Sequence, residues 1–182
     1  MSEFDQAVDY VLKREGDLSE NPSDSGGITK FGISLRFLRE LPTDRLRRYS
    51  IFVPITEQTI RNLELPQAQF IYRGEFWDEA PFQDIECQEL CNYIFDMCVN
   101  LGVYQAVKLV QRAICAASAD RRVLKDDGIM GVRTIGYINS YGQSLLPILI
   151  STRSDFYRLL VAINPKDEAN LDGWLNRCYS VQ

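Results

Sequence analysis

The sequence predicts an all-α fold, mostly helical, with at most one small β-hairpin near residues 18–34. Three observations lead there. Apolar residues recur at intervals of three and four over most of the chain, the period of a helix with one buried face. Runs that alternate apolar and polar residues, the strand signal, are few. Turn formers concentrate in residues 17–34, which hold Asn21-Pro22, Ser23-Asp24-Ser25 and Gly26-Gly27.

The first helix is expected over about residues 3–14, with Ser2 as N-cap and acidic residues in its first turn. Phe4, Ala7, Val8, Val11 and Leu12 form its apolar stripe. Glu15 continues that stripe, and Gly16 follows as the stop. A short helix over 35–41 ends at Pro42. Thr56 caps a helix over 57–64, and Pro66 suits the first turn of the next, which reaches about residue 77. A long apolar helix is expected over 86–101. Another covers 104–117, with Val107, Val110 and Ile114 on one face. Asp126-Asp127-Gly128 marks a turn. A helix over 132–139 leads to a longer one over 143–163 with Pro147 near its start, and Asn170 caps a last helix over 171–178.

A chain of 182 residues fits one domain, or two small lobes sharing a core. Its net charge of −5 argues against nucleic acid as a partner, because phosphate binding calls for a basic excess. It suits an uncharged or weakly charged polymer such as a polysaccharide. The sequence contains no histidine. Ser-His-Asp triads, Cys-His pairs and His-ligated zinc sites are therefore excluded. Proton transfer, if any, falls to carboxylates, lysines or tyrosines.

The five cysteines, Cys87, Cys91, Cys98, Cys115 and Cys178, show no C-x-x-C spacing. Cys87, Cys91 and Cys98 recur at four and seven, as a buried helical stripe would. An odd count without a disulfide pattern suits synthesis in a reducing cytoplasm. Met-Ser-Glu-Phe-Asp-Gln at the N-terminus has no basic n-region and no apolar h-region, so a signal peptide is not expected. No run reaches the 18 or so apolar residues of a membrane span, so stable membrane insertion is not expected either. No long heptad run points to a coiled coil, and a monomer is the default.

Glu15 is the residue with the clearest chemical promise. A carboxylate on an apolar helical face is costly to ionise, and a glycosidase's general acid must hold its proton. The plainer alternative is a helix end whose side chain points to water. Beyond Glu15 lies a polar, glycine-rich loop carrying Asp24 and Thr29, then Phe31-Gly32-Ile33. A hairpin there can return a loop carboxylate to face the helix carboxylate. Two facing carboxyls suffice to cleave a glycosidic bond, with retention at about 5–5.5 Å separation and inversion at about 6.5–9.5 Å.

The stretch from Glu15-Gly16 through Asn21-Pro22, Asp24, Gly26-Gly27 and Thr29 to Gly32-Ile33 resembles the signature of the glycoside hydrolase family 108 N-acetylmuramidases. That signature reads E-G-G, a short spacer, then N-x-P-x-D-x-G-G-x-T-x-x-G-I. Asp17 departs from it, standing where the family has a second glycine. Further segments resemble the family in the same order. They are Ile71-Tyr72-Arg73 with Phe76-Trp77-Asp78, and Phe95-Asp96 with Val99-Asn100-Leu101-Gly102. Ala106 to Gln111, Asp127-Gly128 to Thr134, and Gly173-Trp174-Leu175-Asn176-Arg177 resemble the associated peptidoglycan-binding segment.

The resemblance implies a lysozyme-like peptidoglycan hydrolase, with Glu15 as general acid. By analogy with phage lysozymes, Asp24 and Thr29 would position the attacking water, with Asp17 and Glu20 as rival carboxylates. Tyr72, Trp77, Asp96, Asn100 and Trp174 are the candidate substrate-binding residues. Each has a plainer reading: the two tryptophans as core aromatics, Asp96 and Asn100 as helix-end polar groups. Asp127-Gly128 is first of all a turn, and Arg45, Arg47 and Arg48 a solvated basic run.

The expected organisation is a catalytic lobe over residues 1–95 and a helical peptidoglycan-binding lobe over 96–182, packed as one unit with the glycan between them. No metal or organic cofactor is needed. The partner is a peptidoglycan strand, met in the periplasm or cell wall. Two other readings stay open: a lytic transglycosylase acting on the same bond, and a wall-binding module without activity.

Overall fold

Helix α6 (Gln88–Leu101) is the axis of the fold. In the computed structural model, which describes residues 2–16, 18–19, 27–120 and 122–181, every residue from Tyr93 to Cys98 on this helix is buried. A helix that is apolar nearly all round must be covered on all sides. Helix α1 (Phe4–Glu15) packs along one side of it and α7 (Val103–Ala117) along another. Helix α9 (Leu146–Ile163) lies on α7, and α10 (Glu168–Tyr179) lies on α9. The boundary expected between residues 95 and 96 falls inside α6, and one continuous core runs from Ala7 to Leu149.

Between α1 and α6 the chain forms a three-stranded antiparallel sheet and four helices. The strands are β1 (Leu18–Ser19), β2 (Thr29–Lys30) and β3 (Ile33–Ser34), in the order β1-β2-β3. The helices are α2 (Leu35–Glu40), α3 (Thr43–Arg48), α4 (Glu57–Arg61) and α5 (Leu65–Glu75). Helix α8 (Val132–Tyr141) follows α7. The fold is mostly helical, as the periodicity indicates, and the sheet exceeds the single hairpin expected by one two-residue strand.

The β2–β3 connection is the two-residue turn Phe31-Gly32. Thr29 pairs with Ser34 and Lys30 with Ile33. Both turn residues have positive φ, 51° and 77°. That is the type I′ pattern, whose twist matches the flanking strands.

Several local expectations change. Ser2 does not cap α1: its hydroxyl donates to the Ile85 carbonyl at 2.6 Å and ties the N-terminus to the segment before α6. The basic run falls on α3, where Arg45 pairs with Glu75 at 2.7 Å. Helix α10 begins at Glu168, so Asn170 lies inside it. The Asp127-Gly128 turn is held by Gln111. Gln111 Nε2 donates to Asp127 Oδ1 at 2.9 Å, and its Oε1 accepts from the Gly128 N–H at 3.0 Å. A Cβ at Gly128 would run into the Tyr104 ring, which explains a glycine there. All five cysteines are free, with Cys91 and Cys98 buried in α6. No helix among the described residues is long and apolar enough to cross a membrane.

Candidate active site

Glu15 is the last residue of α1 and Gly16 stops the helix with φ 72°. The Glu15 side chain is 18% exposed. Its neighbour is not the hydrocarbon that helical periodicity suggested. Arg177 on α10 donates from Nη2 to Glu15 Oε1 at 2.6 Å. The β2–β3 turn closes the opposite side. A Cβ on Gly32 would lie 2.6 Å from Glu15 Cγ and 2.8 Å from its Cδ, and would overlap the Tyr72 hydroxyl. Real Cβ atoms do not approach so closely, so only glycine lets this turn lie against the carboxylate.

Behind Glu15 a buried polar network fixes its partner. Arg177 also donates to Asp96 Oδ1, from Nη2 at 2.7 Å and from Nε at 3.1 Å. Asp96 Oδ2 accepts from Arg153 Nη1 at 2.8 Å. Arg153 Nε donates to the Tyr157 hydroxyl at 3.0 Å, and that hydroxyl donates to Asn100 Oδ1. Asp96 and Arg153 are 1% and 0% exposed. Burial alone would raise the Asp96 carboxyl, yet the two guanidiniums outweigh it and hold the group below its ordinary range. Burial likewise works against the Arg177 charge, and Asp96 and Glu15 more than offset it, so Arg177 stays a cation.

The structure separates the expected substrate-binding residues into two groups. Tyr72 and Trp77 are buried. The Tyr72 hydroxyl donates to the Phe31 carbonyl at 2.8 Å and so anchors the turn beside Glu15. Burial, with the nearby Glu15 charge, keeps that phenol protonated. Trp77 stacks on Phe82 at 5.1 Å and meets Phe4 and Phe95 edge-on. Buried rings offer no face to a sugar, and the Asp96 oxygens are taken up by arginines. Tyr72 thus anchors the turn beside Glu15, Trp77 packs within an aromatic cluster, and Asp96 holds Arg177.

Asn100 and Trp174 come together instead. They line a cavity of about 280 Å³ with Gln105, Phe156, Tyr157 and Leu160. Trp174 stacks on Tyr157 at 5.2 Å between ring centres. Trp174 precedes Arg177 by three residues on α10, so the cavity and the Glu15 carboxylate share one helix. Thr29, on β2, donates its hydroxyl to the Gly27 carbonyl at 3.4 Å. Asp24, Asp17 and Glu20 lie outside the described residues. Among the described residues no cluster of acidic or cysteine side chains could hold a metal.

The model of the family described as Glycosyl hydrolase 108 matches residues 8–102, more than half of the chain. The chain belongs to glycosyl hydrolase family 108. A second family model, described as "Predicted Peptidoglycan domain", matches residues 105–179. The first match ends at Gly102, between α6 and α7, and the second begins at residue 105, in the first turn of α7. The fold is also similar to the solved structure of SagA from Brucella abortus, at a TM-score of 0.67 and 19% identity over 98% of this chain and 94% of that one. No curated protein matches the chain.

This family 108 chain is thus a glycoside hydrolase, and with its second domain a peptidoglycan hydrolase. Arg177 and Arg153 are the site residues that periodicity does not reveal. One signal was available for them. Asp96 sits in the middle of an apolar helix, and a buried carboxylate requires a cation.

Proposed function

We propose that this chain is an N-acetylmuramidase that hydrolyses the β-1,4 bond between N-acetylmuramic acid and N-acetylglucosamine. Glu15 is the general acid. In the form of Glu15 that has taken up a proton, Arg177 holds Oε1 and the proton passes from Oε2 to the glycosidic oxygen. As the bond breaks, positive charge develops at C1 of the sugar. Asp24 stabilises that charge or orients the water, aided by the Thr29 hydroxyl. Asn100 and Trp174 bind the strand at the cavity they line, Trp174 by stacking on a pyranose face. Residues 1–95 carry the chemistry and residues 96–182 the hold on the wall, in the periplasm or cell wall.

The observation that carries this reading is the placement of the Glu15 carboxyl. It is gripped by Arg177 on one side and overlaid by the Gly32 turn on the other, with part of its surface open. A merely solvated helix-end glutamate would not be held in this way.

Digestion of purified sacculi with wild type and Glu15→Gln, read by mass spectrometry, tests it. The expected result is soluble fragments with reducing N-acetylmuramic acid ends from wild type alone. Products lighter by one water, with 1,6-anhydro ends, would make it a lytic transglycosylase. Equal release by Glu15→Gln would remove Glu15 from the mechanism.

A further inference from the structure

Helix α1 ends on three charged residues, Lys13, Arg14 and Glu15, and only Glu15 meets an opposite charge among the described residues. Lys13 and Arg14 line a separate cavity of about 480 Å³ with Tyr179, Ser180 and Val181. No described acidic side chain lines it, in a chain whose net charge is −5. Two cations beside a cavity, with no described acidic side chain lining it, attract an anion.

The guanidinium of Arg14 is fixed in advance. It lies over the Tyr10 ring, 3.4 Å from its centre. Nη1 donates to the Tyr10 carbonyl at 2.8 Å, and Nη2 donates to the Ser180 carbonyl. These neutral partners hold the group without cancelling its charge. Each terminal nitrogen keeps a second N–H beyond these bonds, while Nε is buried. At the rim, the Tyr179 hydroxyl accepts from Arg158 Nη2 at 3.1 Å.

Lys13 connects this cavity to the surroundings of the candidate catalytic carboxylate, since it also lines a second cavity with Gly16 and Phe31, the neighbours of Glu15 and of the Gly32 turn. Arg14 precedes Glu15 on α1, and Ser180 lies one turn beyond Arg177 at the end of α10. A glycan strand whose scissile bond lies at Glu15 would bring its substituents to this flank. In peptidoglycan those substituents are short peptides, each carrying free carboxylates. A rigid guanidinium beside an ammonium matches a carboxylate in geometry and charge.

We propose that the Lys13–Arg14 cavity is a subsite for a carboxylate of the peptide stem attached to the bound glycan. The proposal rests on the reading that Glu15 cleaves peptidoglycan, and it makes this chain sensitive to the peptide as well as the sugar.

The test compares soluble glycan strands that keep their peptides with strands stripped of them by an amidase, which expose only lactyl carboxylates. Lys13→Gln/Arg14→Gln should raise KM on peptide-bearing strands about tenfold, the loss expected for charge-assisted hydrogen bonds. It should leave kcat, and KM on stripped strands, unchanged. Amidation of the peptide carboxylates should raise the wild-type KM to the variant's value. Arg14→Lys, with its thermal midpoint checked, serves as the conservative control and should fall between. An equal rise on both strands, or no rise on either, would overturn the subsite. A wild type that cleaves neither strand would overturn the Glu15 reading instead.

Discussion

Arg177 Nη2 stands 2.6 Å from Glu15 Oε1 while the same nitrogen stands 2.7 Å from Asp96 Oδ1. One guanidinium is thus shared between a half-open carboxylate at the end of α1 and a fully buried one in α6. Asp96 and Arg153 orient Arg177, and Arg177 orients Glu15. The position of the candidate acid is set by a guanidinium that the buried Asp96 holds in turn.

Arg177→Lys tests that dependence. A lysine keeps the charge but cannot span both carboxylates with a planar fork. We expect kcat on sacculi to fall about 100-fold, the order of loss for a displacement near 1 Å, with KM little changed. Retained activity would show that Glu15 needs no fixed partner.

Gly32→Ala should damage fold and activity together. The alanine would be forced to a φ of 77° with its methyl against Glu15 and Tyr72. Left-handed strain and overpacking together cost about 2–5 kcal/mol. A lowered thermal midpoint with lost turnover is the expected outcome. An unchanged midpoint would contradict the close approach of the turn.

Asp96→Asn should lower stability by about 3–5 kcal/mol at pH 7, because it leaves the buried Arg153 without its carboxylate and Arg177 with Glu15 alone. The Asp96 carboxyl is depressed in the folded state, so the unfolded chain takes up its proton first as pH falls. Its contribution is complete above its ordinary value of 3.8 and is lost as pH falls through its lower folded value. Urea unfolding of wild type and variant from pH 7 down to about pH 2 should therefore show a constant gap that narrows only in the acid range. A gap that grows as pH falls would contradict the depression.

Trp174→Ala should raise KM about tenfold and leave kcat near wild type, since the ring stacks on Tyr157 beside the cavity and makes no contact with Glu15. A fall in kcat with KM unchanged would move Trp174 from binding to catalysis.

The sequence by itself determined most of the helices, because each carries its own three-to-four apolar period and its own stop. Gly16 and Pro42 mark ends that the structure repeats. It also determined where Glu15 and the Phe31-Gly32 turn lie along the chain, since turn chemistry is local. It missed α3, six residues too short and too basic for a periodic signal.

What only the tertiary structure decided is which faces meet. Arg177 reaches Glu15 across 162 residues of sequence, and Asp96 across 81. No local pattern marks either contact. Trp77 and Trp174 stand in motif positions that read equally as binding or core. Close packing around α6 buries Trp77 and Tyr72, while the junction of α6, α9 and α10 leaves Trp174 and Asn100 lining a cavity. The physical reason is common to all of these. Periodicity specifies that a face will be buried, while the long-range packing of helices specifies what it is buried against.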